Sequence, residues 1–142
     1  MVRVRPFTEN DGPALDAIYR ECRAEATWLP SAAKEASDFA RDTRGEALFV
    51  AVGNDGELEG FISVWEAEAF IHHLYVRQIS RRKGVGDLLL KSLGALLPKP
   101  WRLKCLRANA GALSFYFSQG WKEVSSGDSD EGPFAILERH ET

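Results

Sequence analysis

Arg81-Arg82-Lys83-Gly84-Val85-Gly86 sets three cations directly ahead of a Gly-x-Gly turn. An apolar run ends at Val76, Arg77 follows it, and an amphipathic stretch opens at Gly84. The basic turn therefore lies where a strand passes into a helix. The first amides of a helix lack intrahelical partners and carry partial positive charge. Glycines let the backbone approach an anion closely, and the neighbouring cations add charge, so this junction suits a phosphate or diphosphate. Two commoner phosphate motifs are absent: there is no GxxxxGK[ST], and the residue three after Gly86 is Leu89. A solvated basic loop is the plain alternative for a Gly-x-Gly on its own.

The run Phe70–Val76 carries groups that can move protons. Strand alternation puts Phe70, His72, Leu74 and Val76 on one face and His73 and Tyr75 on the other. Imidazole titrates near neutrality, so His72 is a candidate general base, with Glu66 and Glu68 at the same parity as alternatives. A structural histidine is the competing role for His72. Tyr116 offers a phenol that either donates a proton or packs in the core beside Phe115 and Phe117. No Cys–His pairing or Gly-x-Ser-x-Gly elbow supplies a covalent nucleophile. Cys22 and Cys105 are far apart and show no metal-ligand spacing, so they read as buried reduced thiols and no metal is expected.

The elements that must hold these groups follow from periodicity. Val2 and Val4 alternate with Arg3 and Arg5, as in a short strand. Thr8 to Asp11 resembles a capping box, and Leu15, Ile18, Tyr19 and Cys22 form one helical stripe. Ser31 caps a second helix with Ala32, Ala36, Phe39 and Ala40 as its apolar side. Ala47–Val52, Leu58–Trp65 and Phe70–Val76 read as an antiparallel meander turned by Asn54-Asp55-Gly56. Gly84–Leu97 reads as a helix ended by Pro98 and Pro100, and Trp101–Leu106 as a strand. Ala110–Gln119 reads as a helix closed by Gly120. Trp121–Val124 and Phe134–Leu137 read as final strands joined by a Gly/Ser/Asp-rich loop. A right-handed crossover over 70–106 gives an α/β or α+β domain with a mixed sheet.

The chain of 142 residues fits a single domain over 1–142, and 44% apolar residues can build its core. A net charge of −3 argues against nucleic-acid binding. No apolar stretch reaches the length of a membrane span, and no apolar run follows Arg3 and Arg5 as in a signal peptide, so a cytoplasmic protein without membrane association is expected.

The spacing Arg81-x-x-Gly84-x-Gly86 after an apolar strand resembles the pyrophosphate signature of the GNAT superfamily of N-acetyltransferases. Asn109-x-x-Ala112-x-x-Phe115-Tyr116-x-x-x-Gly120-Trp121 is similar to that family's later motif. The two motifs span about residues 70–121. Many members have proline where this chain has Gln78, which implies a local change in the loop. The resemblance implies a mostly antiparallel sheet of 6–7 strands flanked by about four helices, splayed between the fourth and fifth strands. It implies acetyl-CoA as co-substrate, held by Arg81, Arg82, Lys83, Gly84, Val85, Gly86 and Asp87 at the diphosphate and by the backbone of Leu74, Tyr75 and Val76 along the arm, as in strand addition. The Leu74 N–H would face the thioester oxygen, a donor worth roughly 3 kcal/mol. Asn109 would touch the cofactor near the splay or cap the helix at Ala110, or both. Tyr116 would protonate the leaving thiolate. The implied reaction is direct attack by an amine of a small molecule or peptide, with Trp28 and Leu29 walling the acceptor pocket. Asp128-Ser129-Asp130-Glu131 would attract its charge or form a solvated loop. Alternatives are an acyl-CoA-binding protein without turnover, an enzyme for a protein N-terminus or other macromolecule, and an enzyme using a longer acyl chain. A homodimer is compatible with all of these.

Overall fold

A computed structural model of the protein describes residues 2–140. Seven strands and five α-helices alternate along the chain: β1 Arg3–Pro6, α1 Gly12–Glu25, α2 Ser31–Glu35, α3 Phe39–Asp42, β2 Ala47–Val52, β3 Leu58–Trp65, β4 Phe70–Val76, α4 Val85–Ser92, β5 Trp101–Leu106, α5 Ala110–Ser118, β6 Lys122–Ser129 and β7 Gly132–Arg139. The strands form one sheet in the order β1-β2-β3-β4-β5-β7-β6. All neighbours are antiparallel except β4 and β5, the pair joined through α4. None of the described helices is long and apolar enough to cross a membrane.

Helices cover both faces. The stripe Leu15, Ile18, Tyr19 and Cys22 of α1 buries against Val50, Val52 and Phe61, with Phe39 of α3 beside it. On the other face Val85, Leu89, Leu90 and Leu93 pack with Ile62, Val64, Ile71, Leu103 and Tyr116. Asp11 ties the entry to α1: its carboxylate accepts from the Thr8 N–H at 2.8 Å and pairs with Arg5 at 2.8 Å.

Three expected elements differ. The helix expected from Ser31 is two short ones, because Asp38 accepts from the Arg41 N–H at 3.1 Å and caps a new start. Pro30, not Ser31, is the N-cap of α2. The α4 helix ends at Ser92 and continues as a 3-10 turn over Leu93–Ala95, leaving Leu96 exposed. The Gly/Ser/Asp-rich stretch is strand, not loop. Ser125 to Ser129 pair with Ile136 to Gly132, and Asp130-Glu131 alone make the turn.

A bulge changes the faces of β4. Ser63 pairs with His73 but Val64 pairs with Ile71, so His72 is the extra residue. The expected grouping of His72 with Leu74 and Val76 fails for this reason. Ile71, Leu74 and Val76 join the α4 side of the core, whereas the His72 and His73 rings lie side by side with centroids 4.0 Å apart.

Candidate functional site

Strands β4 and β5 pair only at Phe70–Arg102 and Ile71–Leu103. Beyond that point β5 stays with β7, Cys105 opposite Ala135 and Leu106 opposite Phe134, while β4 stays with β3. The parallel pair opens into a V toward its carboxyl ends. The Arg77 N–H donates to the Glu59 carbonyl at 2.9 Å. By alternation, His73, Tyr75 and Arg77 bond to β3, and Leu74 and Val76 turn their N–H and C=O toward the gap.

The basic turn stands at the mouth of this V. A 3-10 turn over Gln78–Ser80 leads into it, with Gln78 at the position where a proline was expected to be common. Gly84 is the N-cap of α4 with φ +81°, and Arg82 also has a positive φ of 65°. A non-glycine residue in that region costs about 1 kcal/mol or more, a strain that gathers at functional sites. Arg82, Lys83 and Gly84 are exposed, and a Cβ on Gly84 would meet nothing within 4 Å. At Arg82–Gly84 the turn ahead of α4 is thus uncovered by protein, with the room and the positive charge that suit a diphosphate. Asp87 pairs with Lys91 at 3.0 Å. Arg81 faces inward. Its Nε donates to the Val76 carbonyl at 2.9 Å and its Nη1 to Glu25 at 3.0 Å.

A cleft of about 560 Å³ runs from the V to the α1–α2 side. Leu74, Tyr75, Asn109 and Tyr116 line it, as do Trp28, Leu29 and His72. Asn109 caps α5, accepting from the Ala112 N–H at 3.2 Å, and also faces the cleft. Burial pushes the Tyr116 phenol well above its ordinary value, so it stays protonated across the neutral range. Cys105, beside it in the cleft lining, is pushed up to about 11 by burial. Glu66 and Glu68 lie on an exposed 3-10 turn before β4, outside the lining, and the fold does not bring them to His72's side of the cleft.

Sequence reasoning missed Glu46 and His73. Glu46 stands just before β2, and its carboxylate hydrogen-bonds His72 Nδ1. Its other oxygen is 3.8 Å from His73 Nδ1, which is 3.0 Å from Ser63 Oγ. Burial by itself would raise the Glu46 carboxyl, but the neighbouring imidazoles of His73 and His72 outweigh it and hold the group below the ordinary range. Burial lowers His73. An ionised carboxylate only accepts, so His72 Nδ1 carries a proton and Nε2 is left as the nitrogen that faces away from Glu46. The one sequence signal was the His72-His73 pair itself.

The far wall holds buried charge. Arg23 lies 5.4 Å over the Tyr19 ring, donates to Ser37 Oγ at 2.6 Å and pairs with Glu131 at 3.2 Å. Ser129, Asp130 and Glu131 line the cleft, and Asp128 does not.

A mixed sheet splayed at its one parallel pair, with an open glycine turn at the splay, defines an acyltransferase of the GNAT class. The family profile described as "Acetyltransferase (GNAT) domain" matches residues 15–134, and the chain belongs to that family. None of the curated proteins compared with the chain matches it. Among solved structures it is similar to apo YjaB from Escherichia coli, with 21% identity, 97% of each chain covered and a TM-score of 0.82. It is similar to the PaiA N-acetyltransferase from Thermoplasma acidophilum in complex with coenzyme A, with 21% identity, 99% of each chain covered and a TM-score of 0.79. A phosphinothricin acetyltransferase from Sinorhizobium meliloti in complex with AcCoA matches at 21% identity over 98% of this chain and 88% of its own, with a TM-score of 0.72.

Proposed function

We propose that this protein transfers an acetyl group from acetyl-CoA to a primary amine of a small molecule or peptide, by direct attack while both are bound. The observation that carries this reading is that the freed edge of β4 at Leu74 and Tyr116 line one cleft, and that the open turn at Gly84 follows directly on the end of that strand. Acetyl-CoA, present in the complex of one structural relative, is a thioester activated toward amines, and coenzyme A, its product, is present in another.

The amides at the start of α4, with Arg82 and Lys83, hold the diphosphate. The outward N–H and C=O of Leu74, with the Val76 N–H, hold the arm as an added strand, the Val76 carbonyl being taken by Arg81, and the Leu74 N–H stabilises charge developing on the acyl oxygen. His72 Nε2 accepts a proton from the incoming ammonium, because Glu46 fixes its tautomer and the ring borders the cleft. Tyr116 donates a proton to the departing sulfur. The acceptor enters beside Trp28 and Leu29, opposite the phosphate turn.

The test is thiol release measured with acetyl-CoA over polyamines, amino acids, aminoglycosides and peptide N-termini, alongside calorimetry with CoA. Release with at least one class and CoA binding in the micromolar range are expected. CoA binding without release from any class favours an acyl-CoA sensor instead, and absence of CoA binding overturns the reading.

A further inference from the structure

We propose that Glu46, His72 and His73 form a binding site for one divalent transition-metal ion of the zinc class, open to the cleft. One ligand atom from each of the three lies within 4.8 Å of the others. The donor set is two imidazoles and one carboxylate, which suits zinc and its neighbours and leaves at least one position open.

Two further observations point to a ligand. The Glu46 side chain is 5% exposed, and its Oε1 is buried with no hydrogen-bond partner. Among the described residues the only ion-pair partners of this carboxylate are the two imidazoles. A buried charge without a full partner is costly, and a divalent cation at Oε1 removes that cost. The second observation is spacing. The 3.8 Å between His73 Nδ1 and Glu46 Oε1 is too long for a hydrogen bond. It is near the separation of about 3.3 Å that two ligands adopt around a tetrahedral zinc at ordinary bond lengths.

The fold builds this arrangement deliberately. The bulge at His72 brings two consecutive rings to one side of the strand, which regular alternation forbids. The Ser63 hydroxyl, 3.0 Å from His73 Nδ1, rotates away when that nitrogen ligates. His72 is 45% exposed in its side chain, so an ion can enter from the cleft. Ligation at His72 Nδ1 moves the ring proton to Nε2. This consequence rests on the proposed base role: a ring protonated at Nε2 accepts no proton from the acceptor, so the loaded protein is slowed.

The experiment uses the full chain, without an affinity tag and stripped with chelator, titrated with Co2+ while its visible absorption is followed. Zn2+ is then added as competitor. The expected result is one equivalent of Co2+ with strong low-symmetry absorption, displaced by Zn2+. His72→Gln and Glu46→Gln should each weaken binding about tenfold or more. His72→Gln removes a half-exposed ring and guards against a folding failure of the buried variant, with circular dichroism as the check. Absence of Co2+ absorption, or unchanged affinity in folded His72→Gln, overturns the site. Zn2+ binding at full acetylation rate keeps the site and removes His72 as base. Acetylation with no metal binding removes the site and leaves the catalytic reading intact.

Discussion

Arg81 is tied to Glu25 across the mouth of the splay, Nη1 to Oε2 at 3.0 Å, so a cation expected at the phosphates instead joins the end of α1 to β4. Its Nε holds the Val76 carbonyl, and Cys22 Sγ also reaches that oxygen at 3.5 Å. The pair is weak: Glu25 Oε1 is buried without a partner, and the Arg81 side chain is 43% exposed. For Arg81 to reach a diphosphate this pair must break, at a cost of about 0.2–1 kcal/mol. Glu25→Gln should therefore tighten CoA binding about two- to fivefold, with the gain shrinking in high salt. Calorimetry at two salt concentrations checks it. Weaker binding would mean that Arg81 serves in place, as a clamp on β4.

Gly84 takes φ +81° with open space around its Cα. Gly84→Ala costs about 1 kcal/mol of stability from the backbone alone. Gly84→Glu costs a similar amount but also sets a carboxylate against a diphosphate. The alanine variant should retain most of its CoA affinity and the glutamate variant should lose it. Thermal melts and calorimetry on both proteins separate strain from charge. Normal affinity in folded Gly84→Glu would displace the diphosphate from this turn.

Tyr116 is buried and packs edge-on to Trp121, centroids 5.6 Å apart, so its ring is core while the residue still borders the cleft. Tyr116→Phe preserves that packing and removes the acid. A positioned general acid contributes about 10²–10⁴ in rate, so kcat should fall by that range with CoA affinity within about twofold. Steady-state kinetics beside calorimetry checks it. Because the phenol is held above its ordinary value, kcat of the native protein should show no downturn from Tyr116 up to about pH 10.

Much of this geometry was legible and part was not, for reasons that differ by residue. Leu15, Ile18, Tyr19 and Cys22 announced α1 because burial on one face imposes the helical period, and all four are buried. The turn at Gly84 was legible because a left-handed position before a helix selects glycine. The bulge at His72 left no such mark: neither glycine nor proline was needed, so alternation predicted the wrong face. Glu46 joined the site from 26 residues away, a proximity set by strand register and not by spacing. The second half of β6, beyond Val124, looked like loop because its residues are mostly exposed at the sheet edge, where nothing selects apolar side chains.

Asp11 gives the protein an acid-sensitive joint. The Arg5 hydrogen bond, against some burial and with help from Thr8, lowers its carboxyl from 3.8 to about 2. A group depressed in the folded state stabilises it above the unfolded value and stops doing so as pH falls through the folded value. Asp11→Asn should therefore be less stable than the native protein by about 1 kcal/mol at pH 7. The gap should narrow as pH falls from about 4 to about 2 and close below that. Urea midpoints across this window measure it. A gap that persists at the lowest pH would assign the effect to packing.

Asp130 and Glu131 border the cleft together, but among the described residues only Glu131 has a counter-charge, Arg23 at 3.2 Å. The Arg23 side chain is 11% exposed and also bonds Ser37, so Glu131 is part of a structural pair. Asp130, which pairs with no cation among the described residues, can attract a cationic acceptor, in an attraction worth about 0.2–1 kcal/mol at an exposed site. Asp130→Asn should raise the acceptor KM about two- to fivefold, leave kcat and CoA affinity unchanged, and lose its effect in high salt. Glu131→Gln should instead lower stability by about 1 kcal/mol, because it weakens the pairing of a mostly buried guanidinium. Kinetics with the best amine from the screen and urea unfolding of both variants tell the two roles apart. An unchanged KM in Asp130→Asn at low salt would make the turn a solvated connection, and the acceptor's charge would have to be met elsewhere in the cleft.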